Sequence, residues 1–204
     1  LTAYQLKEAG VPCIVAEAKK IGRGVTCNTT AKITAQHGLI YDKLIHSRGP
    51  ELAWQYYKTN QEAVEAYRTL AERFPCDFKE QTAYVYSTGN RQKLEKEQIA
   101  YERLGIPFHW QENPPLPVQT MGALGMERQA QFHPLKLFYE LAQGLEIYED
   151  TFITEIEGNK AIAENGTITA DRIVLATHFP LVNIPGAYFM KLYQHRSYAI
   201  ALED

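Results

Sequence analysis

LTAYQLKEAGVPCIVAEA, residues 1–18, reads as a helix feeding into a buried strand that ends in an acid. Leu1, Tyr4, Leu6 and Ala9 lie near one helical face, Gly10 suits a left-handed C-terminal cap, and Val11–Ala16 is a short apolar run. This is the pattern of the second half of a dinucleotide-binding βαβ unit. There, a Gly-rich turn lets the backbone touch the pyrophosphate, the next helix aims its N-terminus at that charge, and an Asp or Glu closing the second strand holds the ribose hydroxyls. Glu17 stands in the place of that acid. A spacing of about 20 residues puts the expected turn just upstream of Leu1, outside the sequence. An α/β protein without a nucleotide can carry the same helix, strand and acid, so the reading needs the rest of the chain.

Residues 21–41, IGRGVTCNTTAKITAQHGLIY, are polar and rich in small residues, the chemistry of a loop laid along a cofactor. Gly22 and Gly24 permit close approach, Thr26, Thr29 and Thr30 can donate to phosphate or ribitol oxygens, and Lys32 can oppose negative charge. A Thr-rich connecting loop is the plainer alternative. Toward the other end, Asn165-Gly166 is a type I′ hairpin signal between Ala161–Glu164 and Thr167–Ala170. Asp171 then precedes Arg172–Thr177, which reads as a buried strand ending in the small residues Ala176 and Thr177 before His178.

The order of LTAYQLKEAG, a strand ending in Glu, GVTCNTTAKITAQHG, FHPLKLFYELA, TFITEIEG and ADRIVLATHFP resembles the FAD-dependent oxidoreductases of the D-amino-acid oxidase and glycine oxidase superfamily. More narrowly, TTAKITAQHGLIY, ATHFP and LYQHRSYAIA resemble its bacterial branch with an appended Rieske iron-sulfur domain. The resemblance spans nearly the whole chain. The GxGxxG strand-turn, the C-terminal flavin-binding segment and the CxH and CxxH Rieske ligands of that branch have no counterpart here. It implies FAD as cofactor, with Glu17 on the adenosine ribose and Thr29, Thr30, Ala31 and Lys32 along the pyrophosphate-to-flavin stretch. Ile153, Ala176, Thr177 and His178 join them as cofactor-binding candidates. A Rieske [2Fe-2S] cluster is implied only where the full-length parent has the appended domain.

Between the cofactor elements the pattern changes. Pro50–Phe74 has helical apolar spacing, Phe78–Thr88 alternates as a strand, Arg91–Leu104 reads as a helix ended by Gly105, and Phe108–Glu112 reads as another strand. His133-Pro134 opens a helix to Gln143, followed by strands at Leu145–Tyr148 and Thr151–Glu157. The expected fold is α/β with α+β: a discontinuous Rossmann-like FAD-binding domain over 1–41 and 132–185, with a truncated parallel sheet, and an antiparallel-sheet substrate-side domain over 42–131 and 186–204. Val11–Ala16 and Ile173–Ala176 are expected to share the parallel sheet.

In such flavoproteins the cofactor takes the hydride and side chains orient the substrate. An amino-acid substrate needs a fixed cation for its carboxylate, ideally a bidentate Arg. The resemblance places the strand containing Arg196 against the flavin, with Tyr193 and Tyr198 as walls or hydroxyls. His37 and His178 fall in stretches that approach the cofactor, as a base or as groups that tune its potential. Arg196, Tyr198 and His37 are the catalytic candidates. Packing tyrosines, a solvated arginine and loop histidines are the plainer readings.

At 204 residues, 45% hydrophobic and 22% charged, the chain can bury a sizeable core. A net charge of −3 argues against nucleic acid or an anionic membrane as main partner, and no apolar run of about 20 residues predicts a span. Cys13, Cys27 and Cys76 form no CxxC pair, which fits a reduced cytoplasmic protein without structural disulfides. No metal-ligand spacing, GxSxG elbow or P-loop is present. The expected partner is a small amine or amino acid whose C–N bond is oxidised. The alternatives are an NAD-dependent Rossmann dehydrogenase and a non-catalytic fragment. The isolated chain is expected to retain FAD poorly, to be inactive, and to self-associate through an exposed sheet.

Overall fold

The structure, a computed structural model, describes residues 1–181 and 186–192. In chain order the elements are α1 (Thr2–Glu8), β1 (Ile14–Ala16), β2 (Lys32–Ile33), α2 (Tyr41–Arg48), α3 (Pro50–Arg73), β3 (Lys79–Tyr86), α4 (Arg91–Leu104) and β4 (His109–Gln111). They continue with β5 (Ala123–Gln131), α5 (Pro134–Ala142), β6 (Glu146–Tyr148), β7 (Ile153–Glu157), β8 (Lys160–Ala163) and β9 (Gly166–Thr169). The chain divides into two compact units, Leu1–Arg23 with Gly144–Asp204, and Gly24–Gln143.

In the first unit, Gly10 at φ +72° ends α1 as its sequence requires. β1 then pairs in parallel with β6, Ile14 opposite Glu146 and Ala16 opposite Tyr148. The pairing is extended by backbone bonds from Glu17 N–H to Tyr148 O (2.9 Å) and from Thr151 N–H to Glu17 O (2.8 Å). Lys20 bridges Glu149 and Asp150, at 3.0 and 2.8 Å. β7, β8 and β9 form a separate antiparallel meander.

Two expectations are corrected here. The β8–β9 register pairs Ala163 with Gly166, so the loop residues are Glu164 and Asn165. Neither has the positive φ of a type I′ turn, and the turn sits one residue earlier than Asn165-Gly166 would place it. Residues 172–177 form no strand. No neighbouring strand offers them a ladder among the described residues, and Val174 and Leu175 are 64% and 48% exposed.

The second unit is built on β5. β3 pairs antiparallel along its length, while β4 and β2 share its other edge, β4 near Ala123–Gly125 and β2 near Ala130–Gln131. Opposite Thr82 the register slips, so that Glu127 and Arg128 oppose one residue, and Arg128 takes φ +59°. This is a β-bulge, and it turns Gln129 into the interior. Val85, Leu124 and Trp110 lie side by side on the core face. On the opposite face Gly125 sits between Tyr84 and His109, and an added Cβ would run into the His109 ring.

Helices α2, α3 and α4 pack together over the core. α4 starts with Asn90 accepting from the Lys93 N–H at 3.2 Å and ends at Gly105, φ +66°. Its inner stripe is Leu94, Glu97, Tyr101 and Leu104, all buried. Glu97 is a carboxylate at a core position, and α2 explains it. α2 follows Ile40, which has no capping side chain, and Glu97 Oε1 accepts from the N–H groups of Ile40 and Tyr41 (3.0 and 2.8 Å) while Oε2 accepts from Asp42 N–H (3.0 Å). The acid of one helix thus caps the next. Burial pushes this carboxyl upward, and the three N–H donors oppose that shift.

Replacing Glu97 by Gln leaves buried N–H groups facing an amide. A loss of about 2–3 kcal/mol is expected from urea unfolding. Glu95→Ala, which removes only the exposed pair with Arg91 at 3.1 Å, is expected to cost under about 1 kcal/mol.

Candidate functional site

The segment after Gly24 enters the second unit as a single 3-10 turn, Thr26–Asn28, and then continues through the short strand β2 to His37. It is held from three sides. Gln129 Oε1 accepts from Ala35 N–H at 2.7 Å, and Gln129 Nε2 donates to Gln61 Oε1 of α3 at 3.2 Å. Gln36, 5% exposed, donates from Nε2 to Leu124 O (3.0 Å) and Tyr101 Oη (3.3 Å). Tyr41 Oη donates to Ala35 O at 2.6 Å. A bulge, a helix and two tyrosines therefore fix a loop whose sequence has no propensity of its own.

Between this loop and α3 lies an open cavity of about 400 Å³. Thr26, Thr29, Ala31, Lys32, Thr34 and His37 line it from the loop, Asn60, Ala63, Val64 and Tyr67 from the helix, and Phe132 from the end of β5. Ala31 holds a left-handed φ of +56°, with its N–H on Thr29 Oγ1 at 3.2 Å. A non-glycine residue in that region stores strain, and such strain concentrates where backbone is shaped for a ligand. The Lys32 ammonium is exposed and forms no ion pair among the described residues. Burial pushes the Tyr67 hydroxyl upward in pKa and keeps it protonated. The wall thus offers hydroxyls and one cation on the loop side and one amide, Asn60, on the helix side, with Val64, Tyr67 and Phe132 as an apolar floor. That set suits a ligand that is anionic or polyhydroxylic at one part and aromatic at another.

Of the residues singled out in the sequence, Thr29, Ala31, Lys32 and His37 come together in this cavity, and Thr30 adjoins it in an exposed position. Glu17 closes β1 in the first unit, where Oε1 accepts from Lys19 N–H at 2.9 Å. Ile153 opens β7, half-buried opposite Ala163. Ala176, Thr177 and His178 are exposed in the segment without a ladder, Thr177 Oγ1 donating to Phe179 O at 2.6 Å and His178 at φ +64°. Arg196, Tyr198 and Tyr193 lie outside the described residues. The sequence reading missed Asn60, Tyr67 and Phe132. The one signal was Asn60, a polar residue within the helical apolar pattern of Pro50–Phe74.

The packing around His37 lowers its pKa below the ordinary 6.5. A lowered folded value means that stability tied to the neutral ring is present above pH 6.5 and is lost as pH falls through the folded pKa. The midpoint of His37 in an NMR titration is expected below 6.5, and Ala31→Gly, which relieves the left-handed strain, is expected to raise stability by about 0.5–1 kcal/mol in urea.

The family model described as FAD dependent oxidoreductase (DAO) matches residues 1–204. A protein of Bacillus subtilis (strain 168) named as a Rieske 2Fe-2S iron-sulfur protein, YhfW, is 34% identical over 215 residues, covering 99% of this chain and 42% of its own length. The chain therefore spans less than half of that relative. The fold is similar to glycine oxidase from Geobacillus kaustophilus (TM-score 0.65, 19% identity, 87% of this chain and 51% of that one). It is similar to L-proline dehydrogenase from P. horikoshii (TM-score 0.67, 19% identity, 87% and 49%). It also resembles the L-amino acid deaminase from Proteus vulgaris (TM-score 0.60, 16% identity, 87% and 44%). With a family match over residues 1–204, the chain belongs to the FAD-dependent oxidoreductase (DAO) family.

Proposed function

We propose that the protein to which this chain belongs oxidises the C–N bond of a small amine or amino acid by hydride transfer to FAD. The observation that carries the reading is the gathering of Thr29, Ala31, Lys32 and His37 around one cavity in a chain of this family. The amino-acid-directed names of its structural neighbours support the substrate class. FAD, when bound, supplies the hydride acceptor.

In this reading the chain's own residues bind and orient. Glu17 accepts from the adenosine ribose hydroxyls, and its charge disfavours a 2′-phosphate. Thr29 and Thr30 donate to phosphate or ribitol oxygens, Lys32 neutralises charge, and the left-handed Ala31 brings the backbone close. Ile153, Ala176, Thr177 and His178 are further cofactor-binding candidates of this reading. Arg196 pairs with the substrate carboxylate, and Tyr198 bounds the substrate. A reduced flavin would need an electron acceptor, oxygen or, where the full-length parent has a Rieske domain, its [2Fe-2S] cluster; the name of the Bacillus subtilis relative supports the second.

The test is anaerobic titration of the full-length flavoprotein with a panel of amines and amino acids, followed by absorbance. Bleaching of the flavin bands by an amine or amino acid is expected. Bleaching by a nicotinamide cofactor alone would overturn the reading. In the same protein Glu17→Ala, which removes one or two charged hydrogen bonds of about 1.5–3 kcal/mol each, is expected to weaken FAD retention on dialysis at least roughly tenfold.

A further inference from the structure

We propose that Tyr56 is a positioning residue that fixes the His37 imidazole with its proton on Nε2, so that His37 meets the ligand in the cavity as a hydrogen-bond donor and not as a base. The Tyr56 hydroxyl lies 2.9 Å from His37 Nδ1, with the rings edge to face at 6.0 Å and 75°. A phenol is the better proton donor of the two and an imidazole nitrogen the better acceptor, which sets the bond as O–H to Nδ1. Nδ1 is then occupied by its lone pair, and the tautomer carries its proton on Nε2. His37 is among the residues that line the cavity, and with Nδ1 engaged by Tyr56, Nε2–H is the ring's remaining polar group.

The pair is held from both ends. The Tyr56 ring stands edge to face against Tyr41 at 6.1 Å, and Tyr41 is fully buried, edge to face on Tyr101 at 5.3 Å. The segment leading to His37 is pinned through the Ala35 backbone by Gln129 and Tyr41 and through the Gln36 side chain, which donates to Leu124 O. Partial desolvation lowers the pKa of this ring and so favours its neutral form, in which the donor character comes from the tautomer. A hydroxyl one helix away thus decides what the cavity wall presents, a donor suited to a carbonyl, ring-nitrogen or phosphate acceptor. Only the identity of the ligand as FAD rests on the functional reading above.

Full-length protein labelled with [15N]histidine separates the two ideas, with the His37 signals identified by their loss in His37→Gln. Above the His37 pKa, the wild type is expected to show widely separated Nδ1 and Nε2 shifts, converging in Tyr56→Phe. For FAD binding, Tyr56→Phe is expected to weaken affinity roughly three- to tenfold in the wild-type background and to have no effect in His37→Ala. His37→Gln, which keeps an N–H donor, is expected to bind FAD more tightly than His37→Ala. Unchanged His37 shifts in Tyr56→Phe, or the same loss of affinity in both backgrounds, would overturn the proposal. A protein that takes up no FAD yet shows the converging shifts would refute the flavin reading and uphold the tyrosine's hold on the tautomer.

Discussion

The organisation of the second unit depends on one bulge in one strand. β5 is the common partner of β2, β3 and β4, and the extra residue at Glu127–Arg128 changes which face its last residues address. Because of it, Gln129 points inward and its amide reaches both Ala35 N–H and Gln61. Without that reach a buried backbone donor would be orphaned, at about 1–3 kcal/mol. The bulge is itself satisfied from outside. Arg68 of α3 donates to Arg128 O at 3.3 Å and pairs with Glu65 and Glu80 at 3.1 and 2.7 Å. Helix, bulge and loop are therefore one assembly, and the cavity lies within it.

A second polar device, Glu97, works by the same rule of local satisfaction. A buried carboxylate is costly alone, yet here it meets three N–H groups at a helix start that carries no cap of its own. The core around it is rich in tyrosine, with Tyr41 and Tyr101 both fully buried and their hydroxyls bonded to Ala35 O and Gln36. Tyrosine at these positions fills volume and at the same time ties the loop to the core.

Sequence reading succeeded where a single segment carries its own signal. α3 and α4 have helical apolar stripes, α3 with a proline start and α4 with a glycine stop, and β3, β4, β6 and β7 lie close to their expected ranges because alternation or a short apolar run marks them. β5 went unread although it is the centre of the sheet. Gly122 and Gly125 interrupt its pattern, and the bulge breaks the period of two that would reveal it. α2 also went unread, since its cap lies 55 residues away on α4, and Glu97 looked like one more charge in a charged helix. Residues 172–177 have the composition of a core strand, but composition does not supply a neighbour to pair with. The loop half of the cavity was legible from Thr29, Ala31, Lys32 and His37. The helix half was not, because Asn60 and Tyr67 gain their meaning only from what packs opposite them.

In the function proposed above, the loop from residue 25 to 37, fixed by Gln129 and Tyr41, is the cofactor cradle of the second unit. Hydrogen exchange of the full-length protein, measured with and without FAD, tests this most directly. The Ala35 amide is expected to exchange slowly in both states because Gln129 holds it, and the amides of residues 29–34 are expected to gain protection when FAD binds. FAD-dependent protection confined to other parts of the chain, with residues 29–34 unchanged, would contradict the account.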